Sequence, residues 1–411
     1  MHRTLGWILS AAALTAPVAV ASANVITDWD EKAVSVVQTR MSPPPGYRIM
    51  AIMHLAMFDA VDAIEPRYEP YKIKLTAPAD ASKEAAAAAA AAMVLTKLVP
   101  DAAGDVQAAL QTALAALPEG DAKAKGIKVG EAAAASMLEL RANDGATAPD
   151  TYRPRTSPGV YVPTALTVGS QYPNVTPFTI TKPSQFRSPP PIKLSSAQWA
   201  RDYNEIKELG EKTSSKRNPR QTEDARFWVL TGPLSTHPLA RQIALAKQMS
   251  VVDTARFMAV ISAAEADAMI ALFDAKYTYQ FWRPITAIRN GDIDGNPATE
   301  RKADWVPLDN TPMHPEYPCA HCVVSSTVAA AIQTMLASDD IPEISLVSSF
   351  APGVTHRFNK LSDYANEVAL ARIYAGFHYR FSTVAGREMG QKIGTQAAKT
   401  VMQPTKLSSA R

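Results

Sequence analysis

The stretch HPEYPCAHCVVSSTVAAAIQTML, residues 314–336, joins a proline-rich turn to a run of apolar and small residues. Pro318 suits the first turn of a helix, and residues 323–336 continue in a helical pattern. The free backbone N–H groups of residues 319–321 would then lie at a positive helix end, which favours a bound anion. The same stretch contains Cys319-Ala320-His321-Cys322, which has the form of a redox-active dithiol. These two interpretations are decided by the rest of the chain.

Helical patterns dominate outside this stretch. Residues 46–64 repeat apolar side chains at helical spacing, and the alanine run at 85–92 lies inside a longer helical segment. A further helix is predicted near 105–143, and helical pattern resumes at Ser195 and continues to about 403, with a proline-rich break between 284 and 318. Strand signals are sparse and do not alternate with helices, which argues against a parallel sheet. The sequence therefore predicts a mostly α protein built of helical bundles.

The chain divides into four predicted segments. Residues 1–23 combine a basic start, an apolar stretch and the small residues Ala21-Ser22-Ala23, which is the pattern of a signal peptide cut before Asn24. A helical region spans 24–146, a segment rich in Pro, Ser and Thr spans 147–194, and a second helical region spans 195–411. We therefore expect a periplasmic or secreted protein that is soluble and keeps no membrane anchor after cleavage.

Composition narrows the class of partner. With 47% hydrophobic and 20% charged residues in 411, the chain resembles an ordinary globular protein. Its net charge of +3 is too small to indicate nucleic acid, so we expect small-molecule substrates, with a homo-oligomer left open. Export and the absence of a third cysteine predict that Cys319 and Cys322 form a structural disulfide.

A second segment, KYTYQFWRP at 276–284, places two cations among aromatic residues. Lys276 and Arg283 are seven residues apart, so on one helix they would share a face about 10.5 Å apart. Pro284 is expected to end that helix. Two cations on an aromatic face without an intervening acid indicate a bound anion, the alternative being a solvated basic stripe.

A third segment, ARIYAGFHYRFS at 371–382, carries Arg372 and His378. Six residues do not place the two side chains on one straight helix face. Gly376 lies between them and would allow the chain to turn, so that both could approach one site.

Together these segments resemble the phosphatidic acid phosphatase type 2 (PAP2) and vanadium-dependent haloperoxidase superfamily, in its bacterial haloperoxidase-like branch. The superfamily pattern is Lys-x6-Arg-Pro, then Pro-Ser-Gly-His, then Ser-Arg-x5-His. The matching residues here, within about 270–385, are Lys276, Arg283, Pro284, Pro318, Cys319, Ala320, His321, Ala371, Arg372 and His378. The start of the mature chain, NVITDWDEKAV, and residues 46–64 are similar to the same branch, less specifically.

The resemblance implies a role for each motif residue. Vanadate, or phosphate in the same site, would be held by Lys276, Arg283 and Arg372 with Cys319 and Ala320. His378 would bind vanadium or attack phosphorus, His321 would be the acid/base, and His314 would lie beside the halide site. The implied fold is the helical bundle of this superfamily.

Three positions depart from the superfamily pattern. Cys319 replaces serine and is a weaker hydrogen-bond donor, and Ala320 replaces glycine. Ser382 stands where many members carry an aspartate that orients the histidine four residues earlier. The loss of such an orienting group commonly reduces activity, so this position puts peroxidase activity in question.

Four functions remain open on the sequence. A secreted vanadate-dependent haloperoxidase that favours bromide comes first, followed by an acid phosphatase that forms a phosphohistidine in the same pocket. A non-catalytic helical anion-binding protein is the third. A dithiol oxidoreductase is disfavoured because its motif normally follows a strand in a βαβ unit. His54, His237 and His356 match no motif, so we expect them to have structural roles.

Overall fold

A computed structural model describes residues 24–405, so the predicted signal peptide lies outside the described residues. The fold is mostly α, as predicted, with thirteen α-helices and two strands in the described range. In chain order these elements are α1 (Val25–Arg40), α2 (Pro43–Ile64), α3 (Lys83–Leu98), α4 (Ala103–Ala115), α5 (Asp121–Leu140), α6 (Ala197–Leu209), α7 (Pro219–Phe227), α8 (His237–Ala246), α9 (Val251–Tyr279), α10 (Pro284–Arg289), α11 (Ala320–Leu336), β1 (Asp340–Val347), β2 (Thr355–Lys360), α12 (Leu361–Tyr374) and α13 (Arg380–Thr400).

The first half of the chain packs its helices around α2. This helix is buried over most of its length and contacts α3, α5 and α9. The alanine run of α3 is buried along residues 85–92, because side chains of one carbon allow neighbouring helices to approach from several sides. The low-complexity run therefore forms part of the core.

The second half packs α11 against α13, with α12 and the long helix α9 beside them. The contact between α11 and α13 is close because α13 carries glycines on the contact face. A Cβ built at Gly390 would lie 2.2 Å from the carbonyl oxygen of Val323, a distance at which no side chain fits. Because α9 also packs on α2, this single helix connects the two halves of the core.

Two predictions about secondary structure were wrong. The helix expected near 105–143 is two helices, since Pro118 cannot donate a backbone hydrogen bond and Gly120 has φ of +139°. The sequence analysis also missed the antiparallel hairpin of β1 and β2, in which Ile344 pairs with Phe358. A single two-stranded hairpin gives too short an alternation to stand out among helices.

The Pro-, Ser- and Thr-rich segment 147–194 contains only a short 3-10 turn at Tyr172–Asn174. Its backbone is hydrogen-bonded to the second half of the chain. The N–H of Tyr161 donates to the carbonyl of Gln280, and the N–H of Val168 donates to the carbonyl of Met313. The segment therefore lies against the loops that follow α9 and precede α11. The proposed domain boundaries stay a prediction. Within residues 24–405, none of the helices combines the length and apolar character needed to cross a bilayer.

Candidate active site

A cavity of about 290 Å³ lies where the start of α11 meets the turn between α12 and α13. Five residues predicted to form the site line it, namely His314, Ala320, His321, Arg372 and His378. The other three, Lys276, Arg283 and Cys319, are buried next to them. The positions predicted from three separate segments therefore converge.

Lys276 and Arg283 reach the site by a route that differs from the expected one. Helix α9 ends at Tyr279, and Gln280 has a left-handed backbone with φ of 49°. Arg283 is the N-cap of α10, and Pro284 begins that helix and does not end the previous one. The prediction that both cations share one helix face was wrong, because a left-handed residue turns the chain between them.

The ammonium group of Lys276 is fully buried and binds backbone carbonyls. Its Nζ donates to Pro315 at 2.8 Å, to Glu316 at 2.8 Å and to Pro318 at 2.6 Å. Since a lysine has three N–H donors, these three carbonyls occupy all of them. Burial lowers the pKa of Lys276 well below its usual value, and the charge of Arg283 lowers it further. In this arrangement Lys276 holds the loop before α11 and supplies charge.

Arg283 connects two of the histidines. Its Nη1 donates to the Nε2 of His378 at 3.2 Å, and its Nη2 donates to the Nδ1 of His314 at 3.0 Å. A guanidinium can only donate, so the Nε2 of His378 carries a lone pair. The Nδ1 of His314 also lies 3.1 Å from the Pro315 carbonyl oxygen, which can only accept. Burial lowers the pKa of His378 and of His314 well below 6.5, and nearby cations lower both further. Both rings are therefore neutral at neutral pH.

The other nitrogen of His378 contacts a residue that the sequence analysis missed. Its Nδ1 lies 2.8 Å from Oε1 of Glu316, and the same oxygen accepts the backbone N–H of Tyr379 at 3.1 Å. Burial raises the pKa of Glu316 to about 7, against the lowering effect of Arg283 and Lys276. The only signal in the sequence was an acidic residue inside the proline-flanked stretch 314–318, which lies outside the superfamily motifs.

Arg372 enters from the last turn of α12. Gly376, with φ of +79°, turns the chain so that the N–H of Phe377 and that of His378 both donate to the Arg372 carbonyl. This confirms the predicted turn. The Arg372 guanidinium donates through Nη1 to the carbonyl of Trp228, whereas its buried Nε has no hydrogen-bond partner within residues 24–405. Burial and Arg283 lower the pKa of Arg372 to about 9. Arg372 thus keeps donor capacity beside the cavity.

The N-terminus of α11 differs in detail from the prediction. The helix begins at Ala320 with Cys319 as its N-cap, so Pro318 precedes the helix and does not occupy its first turn. The N–H of Cys319 donates to the Ser382 carbonyl at 3.3 Å and is not available to an anion. The expectation of three free N–H donors at 319–321 was therefore wrong for Cys319.

The predicted disulfide between Cys319 and Cys322 is confirmed, with Cα atoms 5.3 Å apart. Both residues have no exposed surface, and Sγ of Cys319 accepts the N–H of Cys322 at 3.2 Å. A buried bridge at a helix start is poorly accessible to a protein thiol, which argues against a dithiol redox catalyst.

His321 lines the same cavity as His314, Arg372 and His378. Its Nε2 lies 3.0 Å from the carbonyl oxygen of Leu230, which can only accept, so Nε2 carries the proton and Nδ1 carries a lone pair. Burial lowers the pKa of His321 well below 6.5, and Arg372 lowers it further. A neutral imidazole with a free nitrogen at a cavity wall can act as a base.

The buried charges of the site do not balance. Lys276, Arg283 and Arg372 are each at most 2% exposed, and Glu316 is the buried carboxylate among them. Asp309, partly buried, raises the pKa of Arg372 but makes no ion pair with it. Since buried charges without partners are costly, this arrangement suits a bound anion with more than one negative charge.

The three histidines without a motif lie elsewhere. His54 and His237 bind Asp30 in the core, and His356 binds Glu367 beside β2. None of them lines the cavity. Each of the three is buried and contacts a carboxylate away from the cavity.

Comparison with known proteins gives consistent matches. Residues 256–406 match a family model described as the VCPO second helical-bundle domain. The curated vanadium chloroperoxidase of Curvularia inaequalis is 22% identical, over 51% of this chain and 45% of its own length. This chain thus spans less than half of that relative.

Solved structures match over almost the whole chain. A bacterial vanadium-dependent iodoperoxidase has a TM-score of 0.81 at 22% identity, covering 93% of this chain and 97% of its own. A holo-type bacterial vanadium-dependent chloroperoxidase has a TM-score of 0.70 at 18% identity, covering 90% and 95%. At these identities the likeness establishes the fold.

Proposed function

Because residues 256–406 match the VCPO second helical-bundle domain, we propose that the chain belongs to the vanadium haloperoxidase and PAP2 superfamily and is a vanadate-dependent haloperoxidase. It uses hydrogen peroxide to oxidise a halide, with bromide as the expected halide. The observation that carries this proposal is the excess of buried positive charge beside His378, whose Nε2 carries a lone pair directed at Arg283.

The residues of the site fit vanadate. Arg372 has a buried Nε without a hydrogen-bond partner in the described chain, and His378 has a lone pair on Nε2. A neutral imidazole nitrogen is a good metal ligand, and arginine donors suit the oxygens of an oxyanion. We therefore assign His378 as the vanadium ligand, and Arg372 and Arg283 as hydrogen-bond donors to the oxygens of vanadate. Lys276 adds a positive charge near the anion and fixes the loop before α11 through three backbone carbonyls.

Bound vanadate would supply a Lewis acid on which peroxide becomes a stronger oxidant. His321 is neutral and keeps a lone pair on Nδ1, so it can accept a proton from hydrogen peroxide and later return it. His314 lies at the same cavity and stacks edge-on against Phe273, with ring centres 5.6 Å apart. We propose this corner as the position of the halide.

A phosphomonoesterase is the second candidate, and the same lone pair favours it. The Nε2 of His378 could attack phosphorus, with Arg283 and Arg372 on the phosphoryl oxygens and His321 protonating the leaving group. Vanadate would then inhibit by occupying the site, since its five-coordinate form resembles the transition state.

A side-by-side assay separates these functions. Purified protein would be given peroxide with bromide, chloride or iodide, each with and without orthovanadate, and separately a phosphate monoester. Halide oxidation that requires vanadate supports the proposal. Phosphate release that vanadate inhibits, without halide oxidation, would replace it by the phosphatase. Anion binding with neither activity would indicate a binding protein.

We also propose that the protein is exported and that residues 1–23 are removed. The Cys319–Cys322 disulfide supports this proposal, because disulfides persist mainly in oxidising compartments. N-terminal sequencing of the protein recovered from a periplasmic or culture fraction tests it. A chain that retains Met1 in the cytoplasmic fraction would refute export.

A further inference from the structure

Position 382 is where the resemblance leads one to expect a carboxylate that orients the site histidine, and Ser382 cannot fill that role. Its hydroxyl is fully buried and adjoins the carboxylate of Glu316. Yet His378 is not without an acidic partner. Glu316, 62 residues earlier in the chain, places Oε1 at 2.8 Å from Nδ1.

The protonation state of His378 follows from its two neighbours. Arg283 can only donate, so Nε2 must accept and the proton of the neutral ring must be on Nδ1. That N–H then donates to Glu316, while the N–H of Tyr379 donates to the same oxygen and fixes the carboxylate against the backbone. Every polar atom of the imidazole thus has one defined role.

We propose that Glu316 is the positioning residue for His378, in place of the aspartate that position 382 lacks. Its carboxylate holds the proton on Nδ1, sets the angle of the ring and keeps the lone pair on Nε2, which vanadate or phosphate would bind in place of the hydrogen bond from Arg283. The orienting carboxylate has thereby moved from the first turn of α13 to the loop before α11. As far as anion binding is concerned, this inference rests on the proposed function.

The loop is built to hold a buried carboxylate at this place. Lys276 binds the carbonyl of Glu316 itself and those of Pro315 and Pro318. The backbone N–H of Glu316 donates to the Phe281 carbonyl at 2.9 Å. Lys276, whose three N–H groups bind these carbonyls, therefore acts on the site by fixing the position of Glu316.

The test removes the carboxylate at position 316 and then restores a carboxylate at position 382. Glu316→Gln keeps the size of the side chain but removes the charge. The double variant Glu316→Gln with Ser382→Asp returns a carboxylate from α13, where the Ser382 side chain adjoins Glu316. Glu343→Gln, on the exposed hairpin, is the matched control. Binding of orthovanadate and of inorganic phosphate is measured by calorimetry, and the tautomer of His378 by ¹⁵N NMR of histidine-labelled protein.

We expect Glu316→Gln to weaken binding of both anions by about 10–100-fold, as for other groups that orient a metal-bound histidine. The proton of His378 should no longer be held on Nδ1 alone. The double variant should recover most of the affinity and the Nδ1–H tautomer, whereas Glu343→Gln should match the wild type. Unchanged binding and tautomer in a folded Glu316→Gln protein would overturn the inference.

Two further outcomes separate the inference from the function. A tautomer change in Glu316→Gln, in a protein that binds neither anion, would refute the proposed function and leave the positioning role intact. If Glu316→Gln does not fold, Glu316→Asp carries the test, since it keeps the charge but shortens the reach to His378. It should weaken anion binding, and full affinity with an unchanged tautomer would count against the proposal.

Discussion

At the scale of single residues, the site is a set of neutral rings among cations. Arg283 can only donate, so Nε2 of His378 carries a lone pair and Nδ1 carries the proton. The Leu230 carbonyl can only accept, so Nε2 of His321 carries the proton and Nδ1 carries a lone pair. Burial and the surrounding cations lower the pKa of both rings well below 6.5. These protonation states suit the ligand role proposed for His378 and the base role proposed for His321.

Replacing His378 by alanine should abolish binding of vanadate together with any halide oxidation or phosphate release. The reason is that Nε2 is the atom expected to bond vanadium or phosphorus, and no other nitrogen takes its place. Calorimetry with orthovanadate and both activity assays measure the result. His356→Gln is the control, since His356 lies outside the cavity. Vanadate binding retained in His378→Ala would remove this histidine from its assigned role.

Replacing His321 by alanine should slow turnover by about 10²–10⁴-fold, as expected when a general acid/base is lost. Anion binding should stay within a few-fold of the wild type, because His321 is not assigned as an anion ligand. Steady-state kinetics and calorimetry on the same preparation separate the two effects. Equal losses of binding and turnover would show that the role is misassigned.

At the scale of elements, the site depends on how closely α13 lies against α11. The start of α11 carries Cys319, Ala320 and His321, and the turn before α13 carries His378. The backbone hydrogen bond from Cys319 to Ser382 joins the two elements at the site. Since Gly390 lies in direct contact with the Val323 carbonyl, any increase in helix spacing would also separate the site residues.

Gly390→Ala should destabilise the fold by about 1–3 kcal/mol, the usual range for overpacking a core contact. The added Cβ would lie 2.2 Å from the Val323 oxygen, so the helices must separate. Thermal and urea unfolding measure the loss. The control is Gly104→Ala in α4, where nothing lies within 4 Å and alanine should stabilise the helix by about 0.5–1 kcal/mol. Equal stability of the two variants would contradict the packing argument.

At the scale of the whole molecule, buried ion pairs join helices from different parts of the chain. Asp30 of α1 accepts from His54 of α2 at 2.8 Å, binds His237 of α8, and accepts from Arg241 at 2.7 Å. His237 also contacts Glu265 of α9 at 2.9 Å. The contacts of Asp30 with His237 and Arg241 span 207 and 211 residues of sequence, so they form only when the first and second halves pack together.

This cluster predicts a dependence of stability on pH. Burial alone would lower the pKa of His237, but Asp30 and Glu265 raise it to about 10, from 6.5 in the unfolded chain. The protonated ring therefore adds stability that is complete below pH 6.5 and is lost as pH rises towards 10. Urea unfolding from pH 6 to 10 should show a smaller decline for His237→Gln than for the wild type. Parallel declines in the two proteins would contradict it.

The sequence by itself determined the helical class, most helix positions and the residues that meet at the site. Helices follow from apolar spacing within one segment, and the site residues are charged or imidazole groups in short motifs. It also predicted the disulfide, because two cysteines three residues apart in a chain predicted to be exported have no other partner.

Only the tertiary structure decided which atoms each side chain uses. Lys276 binds carbonyls about 40 residues away, Arg283 reaches His378 across 95 residues, and Glu316 replaces a carboxylate absent at Ser382. The physical reason is that a hydrogen bond depends on distance and direction within a few tenths of an ångström. Local patterns set the type of element and the side chains it carries, whereas packing between distant elements sets that geometry.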